Sequence, residues 1–147
     1  MGNKLLKILI VEDDYQLAFN WKQALDEYGY YVDAVSNAAD ARRTFSNNYD
    51  CYIIDLFHVE NNQILPEGGI SLLSEIKKNK FTRELPPLVI AITGYYHEGS
   101  STSVSTQQIV KNLGASLLLK KPVKPDRFHE VIKVWLEDPY FEDKIEK

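Results

Sequence analysis

The chain contains a single cysteine, Cys51, so no disulfide can form within it. No apolar run approaches the ~20 residues that a membrane-spanning helix needs. Nor is there a basic excess of the kind that marks a general nucleic-acid surface: 17 Lys and Arg stand against 21 Asp and Glu, giving a net charge of −4 and a sequence pI of about 5.4. No signal-peptide pattern and no internal repeat is visible. The three histidines, His58, His97 and His129, do not fall at metal-ligand spacing. The P-loop signature, GxxxxGK followed by Ser or Thr, is missing, which removes that class of nucleotidase. Together these absences predict a cytoplasmic protein with no membrane segment and no direct nucleic-acid contact.

What is present fits one domain with its own core: 147 residues, 44% of them hydrophobic and 26% charged. Strand-like and helix-like segments alternate along the chain. Ile8 to Val11 is a continuous apolar run, as a parallel strand covered on both faces should be. Leu17, Ala18, Trp21, Ala24, Leu25 and Tyr28 then recur at helical spacing, and Gly29 stops them. "YYVDAV" reads as a more polar edge strand. Asn37 caps a second helix, with Asp40 as its reciprocal partner. "CYIID", "LVIAIT" and "SLLLK" read as the remaining strands. Helices carrying Ile70, Leu73 and Ile76, then Ile109, Val110 and Leu113, lie between them. Pro125 opens a last helix with Phe128, Val131, Ile132, Trp135 and Leu136 on one face. The segments "HVENNQILPEGG" and "HEGSSTSVSTQQ" read as loops.

Five strand-then-helix units predict a parallel sheet with helices on both faces. In such sheets the functional crevice lies beyond the carboxyl ends of the strands. The first strand ends in Glu12, Asp13 and Asp14, the third in Asp55, the fourth in Thr93, and the fifth in Lys120, Lys121 and Pro122. Clustered carboxylates repel one another, but they suit a hard divalent cation; Mg²⁺ takes one or two of them and keeps several waters. An ionised aspartate beside such a cation can attack phosphorus and become an acyl phosphate. A lysine and a threonine supply the charge and the donor that the transferring oxygens need. Read singly, each residue has a plainer role: Asp55 a turn or cap aspartate, Thr93 a strand cap, Glu12 a solvated acid. Asp14 is better read as the N-cap of the first helix, Lys120 as exposed, and Cys51, Trp21 and Trp135 as core. His129 reads as a solvated helix residue.

"ILIVEDD", "YDCYIIDL", "VIAITG" and "LLLKKPVKPDRF", in this order and at strand ends, resemble the receiver domain of response regulators in two-component signalling. The resemblance implies an α/β, flavodoxin-like, doubly wound five-stranded parallel sheet of order 2-1-3-4-5 with five helices. It implies one receiver domain over 1–147, with a core of about 4–136 and a C-terminal tail of 137–147. It implies Asp55 as phosphoacceptor, and Glu12, Asp13, Asp55 and the backbone carbonyl of Phe57 as the Mg²⁺ ligands. Thr93 and Lys121 would bond the phosphoryl oxygens, and Lys121–Pro122 would be a cis peptide. A histidine kinase or a histidine phosphotransfer protein would donate the phosphoryl group. A downstream protein would read the changed surface, with the chain acting as a monomer or a phosphorylation-dependent dimer. The chain would be no enzyme in the ordinary sense, but a phosphoacceptor that assists its own phosphorylation and dephosphorylation.

The sequence also departs from that pattern. Pro66, Gly68 and Gly69 come about half a dozen residues late after Asp55, and the segment after Thr93 is long, so 57–69 and 94–106 are extended. Leu118 stands where an aromatic residue is usual. Phe57 and Tyr95, which flank the expected path of a hydrolytic water, are bulky and cannot orient one, so slow self-dephosphorylation is expected. Only a short tail follows Leu136, and the expectation is a stand-alone receiver or a fragment of a longer chain. A phosphorylation-independent binding module stays open as the alternative. A phosphatase with an aspartate nucleophile fits less well, because Phe57 occupies the place of its second acid.

Overall fold

A computed structural model of the chain describes residues 5–56, 58–60, 63–65, 69–78, 86–94 and 110–138. Five parallel strands form its sheet: β1 (Lys7–Val11), β2 (Tyr31–Val35), β3 (Cys51–Asp55), β6 (Leu88–Thr93) and β7 (Leu117–Lys120). Their order is β2-β1-β3-β6-β7, the expected 2-1-3-4-5 winding. Helices α1 (Tyr15–Glu27), α2 (Ala38–Arg43), α3 (Gly69–Lys78), α4 (described over 110–112) and α5 (Pro125–Glu137) connect them. The edge strand β2 is the most polar, as its composition predicted.

Strand alternation builds two cores. Ile8 and Ile10 point to one face, where Trp21, Leu25, Phe128 and Trp135 of α1 and α5 cover them. Leu9 and Val11 point to the other, under Leu72, Leu73 and Ile76 of α3 and Val110 of α4. Cys51 is buried, and its burial pushes the thiol pKa up, so it is an inert packing residue. Trp21 meets Phe128 edge-on at 5.0 Å, and its Nε1 donates to the carbonyl of Val123 at 3.1 Å. That bond ties α1 to the segment just after Lys121.

Local signals set the helix ends. Asp14 caps α1, its Oδ1 accepting from the Leu17 N–H at 3.1 Å. Asp14→Ala should therefore lower stability by about 1 kcal/mol, read as a lower urea midpoint; an unchanged midpoint would show that the cap carries no weight. Asn37 accepts from the Asp40 N–H at 2.8 Å, and its Nδ2 donates back to Asp40 Oδ2. Gly29, at φ 98°, and Gly114, at φ 120°, end α1 and α4 in the left-handed region that glycine adopts without strain.

Two readings need correction. "HVENNQILPEGG" contains an antiparallel hairpin, β4 (His58–Glu60) and β5 (Gln63–Leu65), with Val59 opposite Ile64. The polar composition of the segment hid the pairing. His129 is not a solvated helix residue. Its ring stacks on Tyr28 at 3.8 Å, and its Nδ1 lies 2.7 Å from the Tyr30 hydroxyl, because the turn between α1 and β2 brings both tyrosines over α5. Ile109, the "HEGSSTSVSTQQ" segment and the tail beyond 138 lie outside the described residues.

Candidate functional site

The carboxyl ends of β1, β3, β6 and β7 converge. Glu12 continues the β1 ladder, its N–H donating to the Val35 carbonyl at 3.0 Å. Asp55 ends β3 opposite Ile92, and the next residue, Leu56, donates to the Ile92 carbonyl at 2.9 Å. Thr93 ends β6, and its carbonyl accepts from the Lys121 N–H at 2.8 Å. Lys120 faces solvent while Lys121 turns inward, and the Lys121–Pro122 peptide is cis. Four polar residues are buried among those described: Glu12, Asp50, Asp55 and Thr93. Three of them were singled out as site residues. The fourth, Asp50, sits at the opposite end of the sheet and accepts from the Lys7 N–H at 2.9 Å.

A pair of buried acids here shares one cation. Lys121 Nζ lies 3.0 Å from Glu12 Oε1 and 3.7 Å from Asp55 Oδ2. Burial chiefly, and then the neighbouring Asp55 charge, pushes the Glu12 pKa up to about 7, although Lys121 and the Asp14 N–H pull the other way. Burial disfavours the Lys121 ammonium, yet the Glu12 carboxylate paired with it and the charges of Asp55 and Asp13 outweigh this and raise its pKa. Lys121 is therefore a permanent cation in this cleft.

Oxygen atoms of Glu12, Asp13 and Asp55 all lie within 4.8 Å of one another. Asp13 is exposed, whereas Glu12 and Asp55 are buried, so the trio opens to solvent on one side. Among the described residues, the buried Glu12 Oε1 has the Lys121 ammonium 3.0 Å away as an ion-pair partner but makes no hydrogen bond of good geometry. A hard donor set of this kind, with an acceptor left over, fits a small oxygen-seeking cation such as Mg²⁺.

Phe57 and Tyr95, the expected carbonyl ligand and the expected shields of the water path, lie outside the described residues. Gly94 is exposed, and among the described residues a Cβ there would meet only Lys121 Cδ, at 3.5 Å. Leu118 is buried in the core beside Val110 and Ala115. The sequence reading missed the closeness of Gly69 to Asp55, which depends on chain closure; the only sequence signal was the glycine itself.

The response regulator receiver domain model matches residues 8–133. Among curated relatives, the autoinducer 2 sensor kinase/phosphatase LuxQ of Vibrio parahaemolyticus is 29% identical over 126 residues, covering 85% of this chain and 13% of that protein. The transcriptional regulatory protein CrdR of Helicobacter pylori is 31% identical over 133 residues, covering 90% of this chain and 55% of that protein. This chain thus spans a minor part of the first and about half of the second. A CheY-like receiver domain structure from Methanospirillum hungatei superposes with a TM-score of 0.71 at 27% identity, covering 92% of this chain and 96% of that one. The match over 8–133, on a sheet with the same winding, leaves one conclusion: the chain belongs to the response regulator receiver domain family of two-component signalling.

Proposed function

We propose that this receiver takes a phosphoryl group on Asp55 in a Mg²⁺-dependent reaction and signals through altered protein binding. The observation that carries this reading is the meeting of Asp55, Lys121, Glu12 and Asp13 at one sheet edge. A carboxylate oxygen of Asp55 attacks phosphorus and forms the O–P bond. The P–N bond to the donor's imidazole breaks, and the imidazole nitrogen keeps the electron pair and is protonated from solvent. Lys121 offsets charge on a transferred oxygen, and the Thr93 hydroxyl donates to another. Glu12, Asp13 and Asp55, with the backbone carbonyl of Phe57, would hold Mg²⁺, which when bound supplies charge neutralisation at the acceptor. Hydrolysis of the acyl phosphate in the same cleft would end the signal.

The donor in this reading is a histidine kinase or a histidine phosphotransfer protein, and the reader is a downstream protein. The aspartyl phosphate adds up to about two negative charges to the cleft, enough to shift binding elsewhere on the surface. The chain would act as a monomer or as a phosphorylation-dependent dimer. Among the described residues no helix is long and apolar enough to cross a membrane. Incubation with acetyl phosphate, with and without Mg²⁺, tests the reading; absence of any covalent label would refute it.

Asp13 supplies a separate test of the metal. It is the exposed member of the carboxylate trio, so asparagine there costs little packing. Asp13→Asn relieves repulsion with Asp55 and with the ionised fraction of Glu12, partly offset by lost attraction to Lys121, for a net gain below about 1 kcal/mol in water. The apo protein should melt up to about 3 °C higher, and the gain in melting temperature from millimolar Mg²⁺ should fall by half or more. A wild-type melt indifferent to Mg²⁺ would count against a metal site.

A further inference from the structure

The first residue of α3 lies against the backbone of the acceptor strand. A Cβ built on Gly69 would stand 2.6 Å from the carbonyl oxygens of both Asp55 and Leu56, and 2.7 Å from the Leu56 Cα. All three are backbone atoms, so no rotamer change can make room. Gly69 is buried, and its φ lies outside the left-handed region, so the requirement for glycine is one of space.

On its other side the same peptide is held by β6, through the Leu56 N–H and the Ile92 carbonyl at 2.9 Å. The end of β3 is thus gripped between a central strand and a helix N-terminus. Helix α3 has little freedom to back away. Leu72, Leu73 and Ile76 are buried in the core, and Glu75 is clamped by Arg42 of α2 through two bonds of 2.5 Å. A methyl group on residue 69 must therefore move the Asp55–Leu56 backbone, by roughly 0.8 Å if ordinary contact is to be restored.

We propose that Gly69 is a positioning residue for phosphoryl transfer: its close approach fixes where the Asp55 carboxylate stands relative to Lys121 and Thr93. The proposal rests on the phosphoacceptor reading above. It also accounts for the tolerance of a lengthened segment after Asp55. Leu56 and Gly69 meet at the base of residues 57–68, so the chain between them can gain a hairpin while the acceptor stays in place, and added length is entropically cheap.

The test compares Gly69→Ala with Gly114→Ala. Gly114 lies at the opposite end of the sheet, where φ 120° and the Lys77 side chain 3.0 Å from an added Cβ make alanine a source of strain remote from the cleft. Gly69→Ala should lower the maximal rate of labelling by acetyl phosphate in saturating Mg²⁺ on the order of a hundredfold. The half-saturating donor concentration should change by less than about threefold, since binding groups stay in place. Its backbone amide resonances should shift at Asp55 and Leu56. Gly114→Ala should lose stability but keep the rate.

Wild-type labelling by Gly69→Ala would overturn the proposal. So would a loss of rate in Gly114→Ala that matches its loss of stability, because strain anywhere would then suffice. If wild-type protein takes no label, the function reading fails, and the resonances alone decide on Gly69: unshifted Asp55 and Leu56 amides would refute its positioning role. Should Gly69→Ala prove too unstable, the resonances can be recorded in the Asp13→Asn background.

Discussion

Replacement of Asp55 by asparagine is expected to abolish labelling by acetyl phosphate while the fold persists. The amide has nearly the shape of the carboxylate, so the buried end of β3 need not rearrange. Its oxygen, however, is a far poorer nucleophile, and it cannot yield a stable acyl phosphate. A drop on the order of a thousandfold or more, about 4 kcal/mol of transition-state stabilisation, is expected. Loss of the negative charge has a second consequence. Asp55 helps to raise the Glu12 pKa, so Asp55→Asn leaves Glu12 with an easier charge and Lys121 with one partner in place of two. The variant should therefore melt within a few degrees of wild type. Mass spectrometry of phosphodonor-treated wild type and variant checks the assignment. A label retained in Asp55→Asn, on any residue, would mean that the nucleophile is elsewhere.

The parts legible in the sequence were those in which one short segment decides the outcome alone. "CYIID" and "LVIAIT" are runs of apolar residues ended by a polar one, and they form β3 and β6 with those bounds. The caps at Asp14 and Asn37 are likewise settled within four residues. The carboxyl-end constellation was legible because parallel winding brings every strand end to one edge, whatever the helices between them do. What escaped depends on tertiary neighbours. Helical periodicity says which face of α5 His129 occupies, but not that Tyr28 and Tyr30 arrive over it from the turn between α1 and β2. The β4–β5 hairpin has six paired residues, too few for alternation to show through polar composition. Gly69 reads as one more glycine of a long loop until α3 is seen against the Asp55–Leu56 peptide.

Glu12 should make the apo protein more stable in mild acid than in mild base. Its side chain is buried, and burial together with Asp55 moves its pKa from the ordinary 4.5 to about 7. The folded chain therefore holds a proton that the unfolded chain has released by pH 5 to 6. This stabilisation is complete below about pH 4.5 and is lost as pH rises through about 7. Screened by water at the open side of the cleft, this is worth on the order of 1–2 kcal/mol. Other groups add their own slopes, so the comparison is with Glu12→Gln, which keeps the shape and removes the titration. Urea unfolding at pH 5 and pH 8 without metal should show wild type losing more stability than the variant over that interval. A bound divalent cation reverses the preference, because it favours the ionised carboxylate. Mg²⁺ affinity of the wild type should then rise with pH up to about 7 and level off, while Glu12→Gln binds weakly throughout. Identical pH slopes for the two proteins would show that Glu12 is already ionised in the apo fold, with Lys121, 3.0 Å away, compensating its burial in full.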